Sequence, residues 1–364
     1  MSLKLTFCVL ALAALALPVF GQETAEEWVE EGIALGARGE YDEAIQAFDE
    51  AIRLDPEDAD AWNNKGVVFG MQGKYDEAIQ AFDEAIRLDP EDADAWYNKG
   101  VVLGYQGNYT YATEAYDEAI RLDPEHVAAW NNKGIALKNL GNYSEAVQAY
   151  DEAIRLDPEY VAAWNNKGTA LADQGKYDEA IQAYDEAIRL DPKPAPAWYG
   201  KGIALYYQGN YTEAILAYDE AIQLDPDDAE AWNNKGNALD DLGKYDEAIQ
   251  AYDEAIRLDS EDAVARNNKG TVLGKKGEYD EAILMFDEAI RLDPKLAKAW
   301  YGKGIALYYQ GNYTESILAC DEAIRLDPEF ALAWYSKAIA LEVLGRRSEA
   351  DAAYAKALEI GLTA

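Results

Sequence analysis

The sequence is poor in the residue types that enzymes most often use for catalysis. It contains one histidine, His126, and two cysteines, Cys8 and Cys320. A Ser–His–Asp or Cys–His arrangement needs a histidine beside the nucleophile, and a lone histidine in a short loop is expected at the surface. No glycine-rich phosphate loop and no zinc-ligand spacing occurs. We therefore predict a protein that is not an enzyme and needs no cofactor or metal.

Basic residues are also scarce. The chain has 32 Lys and Arg against 69 Asp and Glu, a formal net charge of −37. Such a field repels phosphate backbones and anionic lipid. Nucleic acid is thus excluded as a partner, and a neutral or basic protein or peptide is favoured. The alternative is that the acidity only serves solubility or adaptation to salt.

Only one long hydrophobic run is present, near the N-terminus. Lys4 precedes an apolar run over residues 5–20 that only Thr6 interrupts, and Gly21 offers a small residue for cleavage. This pattern predicts a secretory signal peptide over residues 1–21, a spacer over 22–24 and a secreted or cell-surface protein. The run is short of the ~20 residues of a membrane span, so an uncleaved anchor is the alternative. With Cys8 removed, Cys320 has no partner for an intramolecular disulfide.

The rest of the chain repeats itself every 34 residues. We place the units at starts near residues 25, 59, 93, 127, 161, 195, 229, 263, 297 and 331. Every tryptophan falls at one position of the unit, namely Trp28, Trp62, Trp96, Trp130, Trp164, Trp198, Trp232, Trp300 and Trp334. The eighth unit has Arg266 there instead. A fixed period of this length is typical of stacked repeats.

Each unit carries two helical patterns. In the second unit Trp62, Gly66 and Phe69 share one face at helical spacing, and a second apolar stripe follows Gly73. Gly73 predicts the turn between the helices, and Pro90 predicts the end of the second helix. Acidic pairs recur in the second helices three or four residues before an arginine, and we interpret them as ion pairs on the helix surface. Asp49 and Glu50 before Arg53 are an example.

These residues resemble the tetratricopeptide repeat family. The matching positions of the second unit are Trp62, Gly66, Phe69, Gly73, Tyr75, Ala78, Phe82, Ala85 and Pro90. The resemblance implies an all-α, right-handed superhelical solenoid of about ten antiparallel helix pairs over residues 25–364, with first helices lining a concave groove. Ser260 and Cys320 depart from the pattern, and Cys320, at an aromatic core position, is expected to be buried and inert.

Asparagine pairs follow the tryptophan in five units. The second member of each pair matches the asparagine ladder in the repeats of O-linked N-acetylglucosamine transferases. That resemblance implies an extended peptide held by Asn64, Asn98, Asn132, Asn166, Asn234 and Asn268. Gly200, Gly302 and Ser336 interrupt the ladder. The alternatives are that these amides favour the helix start, or descend from one duplicated unit.

Tyrosines mark two units that lack the second asparagine. We predict a groove patch formed by Tyr199, Tyr206, Tyr207, Tyr301, Tyr308 and Tyr309, whose spacing places them along one helix face. Ordinary packing between repeats is the competing explanation.

Four N-glycosylation sequons occupy the turn between the two helices of a unit. Their asparagines are Asn108, Asn142, Asn210 and Asn312. Asparagine is also common in such turns without modification. Beside a signal peptide, the sequons favour export.

Taken together, these patterns predict a non-catalytic, exported scaffold that binds an extended peptide or a partner helix in its Asn- and Tyr-lined groove. The alternative is a structural or assembly element of the cell envelope that acts through its ends and its acidic convex face, with self-association through the C-terminal unit. An accessory region of a separate enzyme subunit is a third interpretation.

Overall fold

The computed structural model describes residues 24–361, and these residues form helices and turns only. The predicted signal peptide, residues 1–21, lies outside them, as do residues 362–364 of the predicted solenoid. The chain divides into two compact units, one ending at Leu190 and one beginning at Asp191. The all-α repeat architecture predicted from the sequence is confirmed.

Each of these two compact units contains ten helices arranged as five pairs. We number the pairs of both compact units as repeats 1 to 10 in chain order, and each repeat corresponds to one 34-residue unit of the sequence. The first unit has α1 (Ala25–Ala37), α2 (Tyr41–Leu54), α3 (Ala59–Met71), α4 (Tyr75–Leu88), α5 (Ala93–Tyr105), α6 (Tyr109–Leu122), α7 (Val127–Asn139), α8 (Tyr143–Leu156), α9 (Val161–Asp173) and α10 (Tyr177–Leu190). The second unit has α11 (Ala195–Tyr207), α12 (Tyr211–Leu224), α13 (Ala229–Asp241), α14 (Tyr245–Leu258), α15 (Ala263–Lys276), α16 (Tyr279–Leu292), α17 (Ala297–Tyr309), α18 (Tyr313–Leu326), α19 (Ala331–Val343) and α20 (Arg347–Glu359).

The helix ends follow from local chemistry. The Asp58 side chain caps α3 by accepting the Ala61 N–H at 3.0 Å, which satisfies one of the free donors of the first turn. After α3, Gly73 adopts φ +74°, a left-handed conformation that residues with a Cβ avoid. This residue reverses the chain, so that α4 runs back along α3.

Small residues bring the two helices of a repeat together. Ala78 and Phe82 of α4 are fully buried against α3. A Cβ added at Gly66 would lie 2.7 Å from the Phe82 ring, so only glycine allows this approach. In repeats 1 to 8 an aromatic ring of the second helix thus fills the space that a glycine of the first helix leaves open.

Consecutive repeats are joined by contacts centred on the tryptophan. Trp130 donates its indole N–H to the carbonyl of Pro124 at 3.1 Å, which fixes the preceding loop. Lys133 lies 5.3 Å from the centre of the Trp130 ring and 2.5 Å from Asp117 of the preceding second helix. The same arrangement recurs in other repeats of both units, for example at Lys65 and Lys303. Each lysine therefore links two repeats instead of standing free in the groove.

Within each unit the first helices of successive repeats also contact one another. Within a unit, each second helix packs against its own first helix and, where another repeat of that unit follows, against the first helix of that repeat. The first helices therefore form a continuous row in each unit, on which the predicted binding residues lie.

Candidate binding surface on the first helices

The asparagines of the first helices form a ladder of hydrogen bonds between repeats. Asn166 of α9 donates its Nδ2–H to Asn131 Oδ1 of α7 at 3.0 Å. Four further bonds join a second pair position to the first pair position of the preceding repeat, 35 residues earlier. They are Asn98 to Asn63 (3.1 Å), Asn132 to Tyr97 Oη (3.1 Å), Asn234 to Tyr199 Oη (2.9 Å) and Asn268 to Asn233 (3.2 Å).

These bonds occupy amides that the sequence assigned to peptide binding. Asn98 and Asn166 are 8% and 6% exposed, and their donors are directed at neighbouring repeats. Asn64 has no such partner, because repeat 1 carries Val29 at the accepting position, and it bonds to the Asp60 carbonyl of its own helix at 2.8 Å. The role of the ladder in holding a peptide stays a prediction. Polar residues that recur 35 positions apart, such as Asn131 and Asn166, are the sequence signal for these hydrogen bonds within the fold.

The ladder is interrupted at Gly200 and Gly302, which have no side chain to donate. Ser336 of α19 holds the same ladder position with a shorter, hydroxyl-bearing side chain, 35 residues after Tyr301. Burial raises the pKa of Tyr301, and the Ser336 hydroxyl opposes this shift. Asn267, which precedes Gly302 in the ladder, keeps a buried Oδ1 without a hydrogen-bond partner among residues 24–361.

The predicted tyrosine patch divides into bound and exposed members. In repeat 6, Tyr199 and Tyr206 donate their hydroxyls to Glu230 at 3.2 Å and to Asp241 at 2.7 Å, both in repeat 7. Burial, and then the bond to the Asp241 carboxylate, raises the pKa of Tyr206. Tyr199 and Tyr206 therefore take part in contacts between repeats, and their role in binding a peptide stays a prediction.

Two tyrosines of the patch present most of their surface to solvent. Tyr207 is 64% exposed and Tyr309 is 63% exposed. The Tyr309 ring stacks on Tyr279 of the preceding repeat, with centroids 5.5 Å apart and planes at 9°. Tyr308 is half-buried and contacts Tyr309 and Tyr313 edge to face. The stacked, exposed ring of Tyr309 is thus held in one orientation at the surface.

The four sequon asparagines share one local setting. Asn108, Asn142, Asn210 and Asn312 are all exposed, and each precedes the first residue of a second helix. A glycan attached there would project from the turn, away from the packed helices. Whether these residues are modified stays a prediction.

Sequence reasoning missed a row of exposed leucines on second helices of the second unit. Leu216, Leu284 and Leu318 are 61%, 55% and 61% exposed. They occupy the position at which other repeats carry a glutamine, as at Gln46. Leucine in place of glutamine was the signal in the sequence that could have indicated these exposed apolar residues. The surface of the second helices is therefore not uniformly acidic.

The expected surface position of His126 is wrong. Its side chain is 16% exposed because it caps α7, accepting the Ala129 N–H at Nδ1 (3.2 Å), and packs on the Tyr97 ring. The opposite ring nitrogen lies 3.5 Å from Asp94, and this contact lowers the pKa of that carboxyl.

The burial predicted for Cys320 is confirmed, since it is fully enclosed. Burial raises the pKa of its thiol to about 12, which keeps it protonated and unreactive at neutral pH.

Comparison with known proteins identifies the family that shares this architecture. The tetratricopeptide repeat family model matches residues 29–93, 69–103, 97–160, 132–194, 199–263, 267–329 and 305–361. The chain belongs to the tetratricopeptide repeat family. Its proteins are in general non-catalytic scaffolds for protein interactions.

Solved structures resemble the chain over long stretches. A tetratricopeptide repeat protein from Parabacteroides merdae has 19% identity and a TM-score of 0.53, covering 68% of this chain and 98% of its own. The APC/C hetero-tetramer Cut9-Hcn1 has 18% identity and a TM-score of 0.52, covering 93% and 74%. YrrB, a tetratricopeptide repeat protein with an unusual peptide-binding site, has 27% identity and a TM-score of 0.46, covering 52% and 98%. The first two likenesses show the fold. The comparison with curated proteins finds no match.

None of the helices between residues 24 and 361 combines the length and the apolar character that crossing a membrane requires.

Proposed function

We propose that this protein is an exported, non-catalytic scaffold that binds an extended peptide or a partner helix along its first helices. The observation that carries the proposal is the exposure of Tyr207 and Tyr309 on the first-helix row. Tyrosine gives a large contact area at a modest cost in side-chain entropy, which makes it frequent among residues that dominate binding energy.

The surroundings of these tyrosines also support the proposal. Tyr309 is pre-oriented by stacking on Tyr279, so little conformational freedom is lost when a partner binds. Half-buried amides such as Asn132 and Asn234 lie on the same row of helices. Beyond the ladder bond, each side-chain NH₂ group keeps a second N–H that can donate to a peptide carbonyl. With a net charge of −37, the protein favours neutral or basic partners over acidic ones.

The test uses peptides selected from a random display library on the whole protein. We expect Tyr207→Ala and Tyr309→Ala each to weaken the selected peptides at least about ten-fold, since truncating a binding hot spot costs roughly 2 kcal/mol or more. Tyr111→Ala is the matched control, because Tyr111 is equally exposed at 62% but lies on the second helix α6. Titration calorimetry gives the dissociation constants.

Equal losses in the Tyr111 variant and the first-helix variants would sink the groove proposal. The exposed leucines favour a second candidate, namely assembly through the second helices. Leu318→Gln restores the residue type found at this position in other repeats. Loss of partner binding or of oligomers in that variant, with Tyr309→Ala unchanged, would support assembly instead.

Export is part of the proposal. It is supported by Lys4 and the apolar run over residues 5–20, and by the exposure of all four sequon asparagines. The protein isolated from its source is expected to begin at Gln22, with glycan on one or more of Asn108, Asn142, Asn210 and Asn312. Intact-mass and peptide mass spectrometry measure both. Recovery only with residues 1–21 in place and in the cell interior contradicts export, and unmodified sequons contradict glycosylation alone.

A further inference from the structure

The second compact unit, which begins at Asp191, contains an open cavity along its row of first helices. Its volume is about 840 Å³ and it lies between α15 and α17, with the start of α19 at one side. Five of the fifteen lining residues carry aromatic rings, namely Tyr279, Phe286, Tyr301, Tyr309 and Phe330. Ligand pockets typically measure ~300–1,000 Å³ and are mostly apolar with a few fixed polar groups. The cavity has the size and character of such a pocket.

One buried hydrogen-bond acceptor in this cavity is unused. Asn267 is 8% exposed, and its Nδ2–H donates to Asn268 Oδ1 at 3.2 Å. Its Oδ1 is buried and has no hydrogen-bond partner within residues 24–361. Buried polar groups are almost always paired, and an unpaired one destabilises the fold. Asn267 also lines the cavity, so a ligand in the cavity that carries a donor would satisfy this oxygen.

The sequence explains why Asn267 Oδ1 lacks a donor. At Asn131, which holds the same ladder position as Asn267, the amide of the next repeat supplies the donor at 3.0 Å. Repeat 9 has Gly302 where that donating asparagine would be. A Cβ at Gly302 would lie 2.5 Å from the Phe286 ring, so this ring has taken over part of the space. A phenyl ring cannot donate to an amide oxygen, and the acceptor stays open.

We propose that this cavity binds a tryptophan side chain of a peptide that lies along the first helices, an inference that rests on the proposed peptide-binding function. The indole N–H donates to Asn267 Oδ1, and the indole ring packs among Tyr301, Tyr309 and Phe286. Indole carries a donor and no acceptor, so it satisfies the open oxygen without bringing a second unpaired polar atom into an apolar site. A glutamine side chain would bring its own buried carbonyl, and a phenylalanine would leave Asn267 unsatisfied.

The test compares two dye-labelled peptides on the whole protein. They are taken from a display-selected sequence and differ only at the central residue, which is tryptophan or its isostere 3-benzothienylalanine, in which sulfur replaces the N–H. Fluorescence anisotropy gives the dissociation constants. We expect the tryptophan peptide to bind about ten-fold more tightly, because the isostere leaves a buried acceptor unpaired.

Two variants assign the preference to this site. Asn267→Leu keeps the branching of the side chain and removes the acceptor, so the preference for the tryptophan peptide is expected to disappear. Gly302→Asn supplies the missing ladder donor and fills the cavity, so the tryptophan peptide is expected to weaken about ten-fold or more. Circular dichroism and the melting temperature check that each variant folds. If Gly302→Asn does not fold, because Phe286 must move, Asn267→Leu alone decides.

Equal binding of the two peptides to the unmodified protein overturns the tryptophan subsite. A preference that survives in Asn267→Leu overturns it as well. In both cases the proposed function stands if Tyr309→Ala still weakens the selected peptides. Failure of every selected peptide to respond to Tyr207→Ala and Tyr309→Ala would instead remove the groove proposal itself.

Discussion

At the scale of single residues, the decisive feature of the binding row is which amides have partners within the fold. Asparagine at the two positions after the tryptophan suggested contacts with a peptide. The structure gives most of these amides an intramolecular partner 35 residues away, as between Asn166 and Asn131. The residue types were readable from the sequence, but their partners were not, because a side-chain amide pairs equally well with solvent, peptide or protein.

The ladder predicts a strongly asymmetric mutational response. Asn166→Leu leaves Asn131 Oδ1 without its donor in a residue that is 4% exposed, and we expect a loss of about 1–3 kcal/mol in local opening free energy. Replacing Asn131 and Asn166 together by leucine removes both polar groups, so most of the loss should be recovered. Native-state hydrogen exchange of the α7 and α9 amides measures the effect.

Asn64→Leu is the control for this prediction, because the Asn64 amide bonds to its own helix at 2.8 Å and no neighbouring repeat depends on it. The loss there should stay below about 1 kcal/mol. Equal losses in Asn64→Leu and Asn166→Leu would show that the ladder bonds add nothing beyond local helix effects.

At the scale of helices, the sequence predicted local contacts well and contacts between repeats only in part. The pair Glu50–Arg53 lies on one helix surface at 2.6 Å, as expected for residues one turn apart. Asp49, assigned to the same surface cluster, instead pairs with Lys65 of the next repeat at 2.5 Å. A carboxylate one residue along a helix points about 100° away, so the neighbouring repeat, not the helix, determines its partner.

Substituted helix positions show how the fold accommodates a departure from the pattern. Arg266 replaces the tryptophan of repeat 8 and is 7% exposed. Its guanidinium bonds to Glu288 at 3.1 Å and to the Asp262 carbonyl at 3.0 Å. The missing tryptophan was plain in the sequence. The replacement of its packing by a partly buried ion pair depends on Glu288, which is 22 residues away, and required the structure.

At the scale of the whole molecule, charge is the dominant property. A net charge of −37 produces repulsion between carboxylates that opposes the compact state. Exposed ion pairs such as Arg53–Glu50 act in the opposite sense, but each contributes only about 0–1 kcal/mol. The repulsion acts among all the excess carboxylates, so we expect it to outweigh the pairs.

This balance predicts that salt stabilises the protein. Raising sodium chloride from about 0.01 M to 0.5 M shortens the screening length from about 30 Å to below 10 Å and should raise the melting temperature by a few degrees. Scanning calorimetry measures the shift, with choline chloride as a control for specific sodium binding. A fall in melting temperature with salt would mean that the ion pairs dominate.

The sequence by itself determined the repeat, its division into helix pairs and the positions of Trp62, Gly66, Gly73 and their equivalents, because these depend on spacing along one helix and on the backbone freedom of glycine. It also determined the acidity of the molecule. Only the tertiary structure decided which side chains of the first helices remain available. Asn166 is taken up by a neighbouring repeat, Tyr309 is left exposed, and Asn267 is left with an open acceptor beside Gly302. These outcomes depend on distances across repeats, which a one-dimensional pattern does not contain.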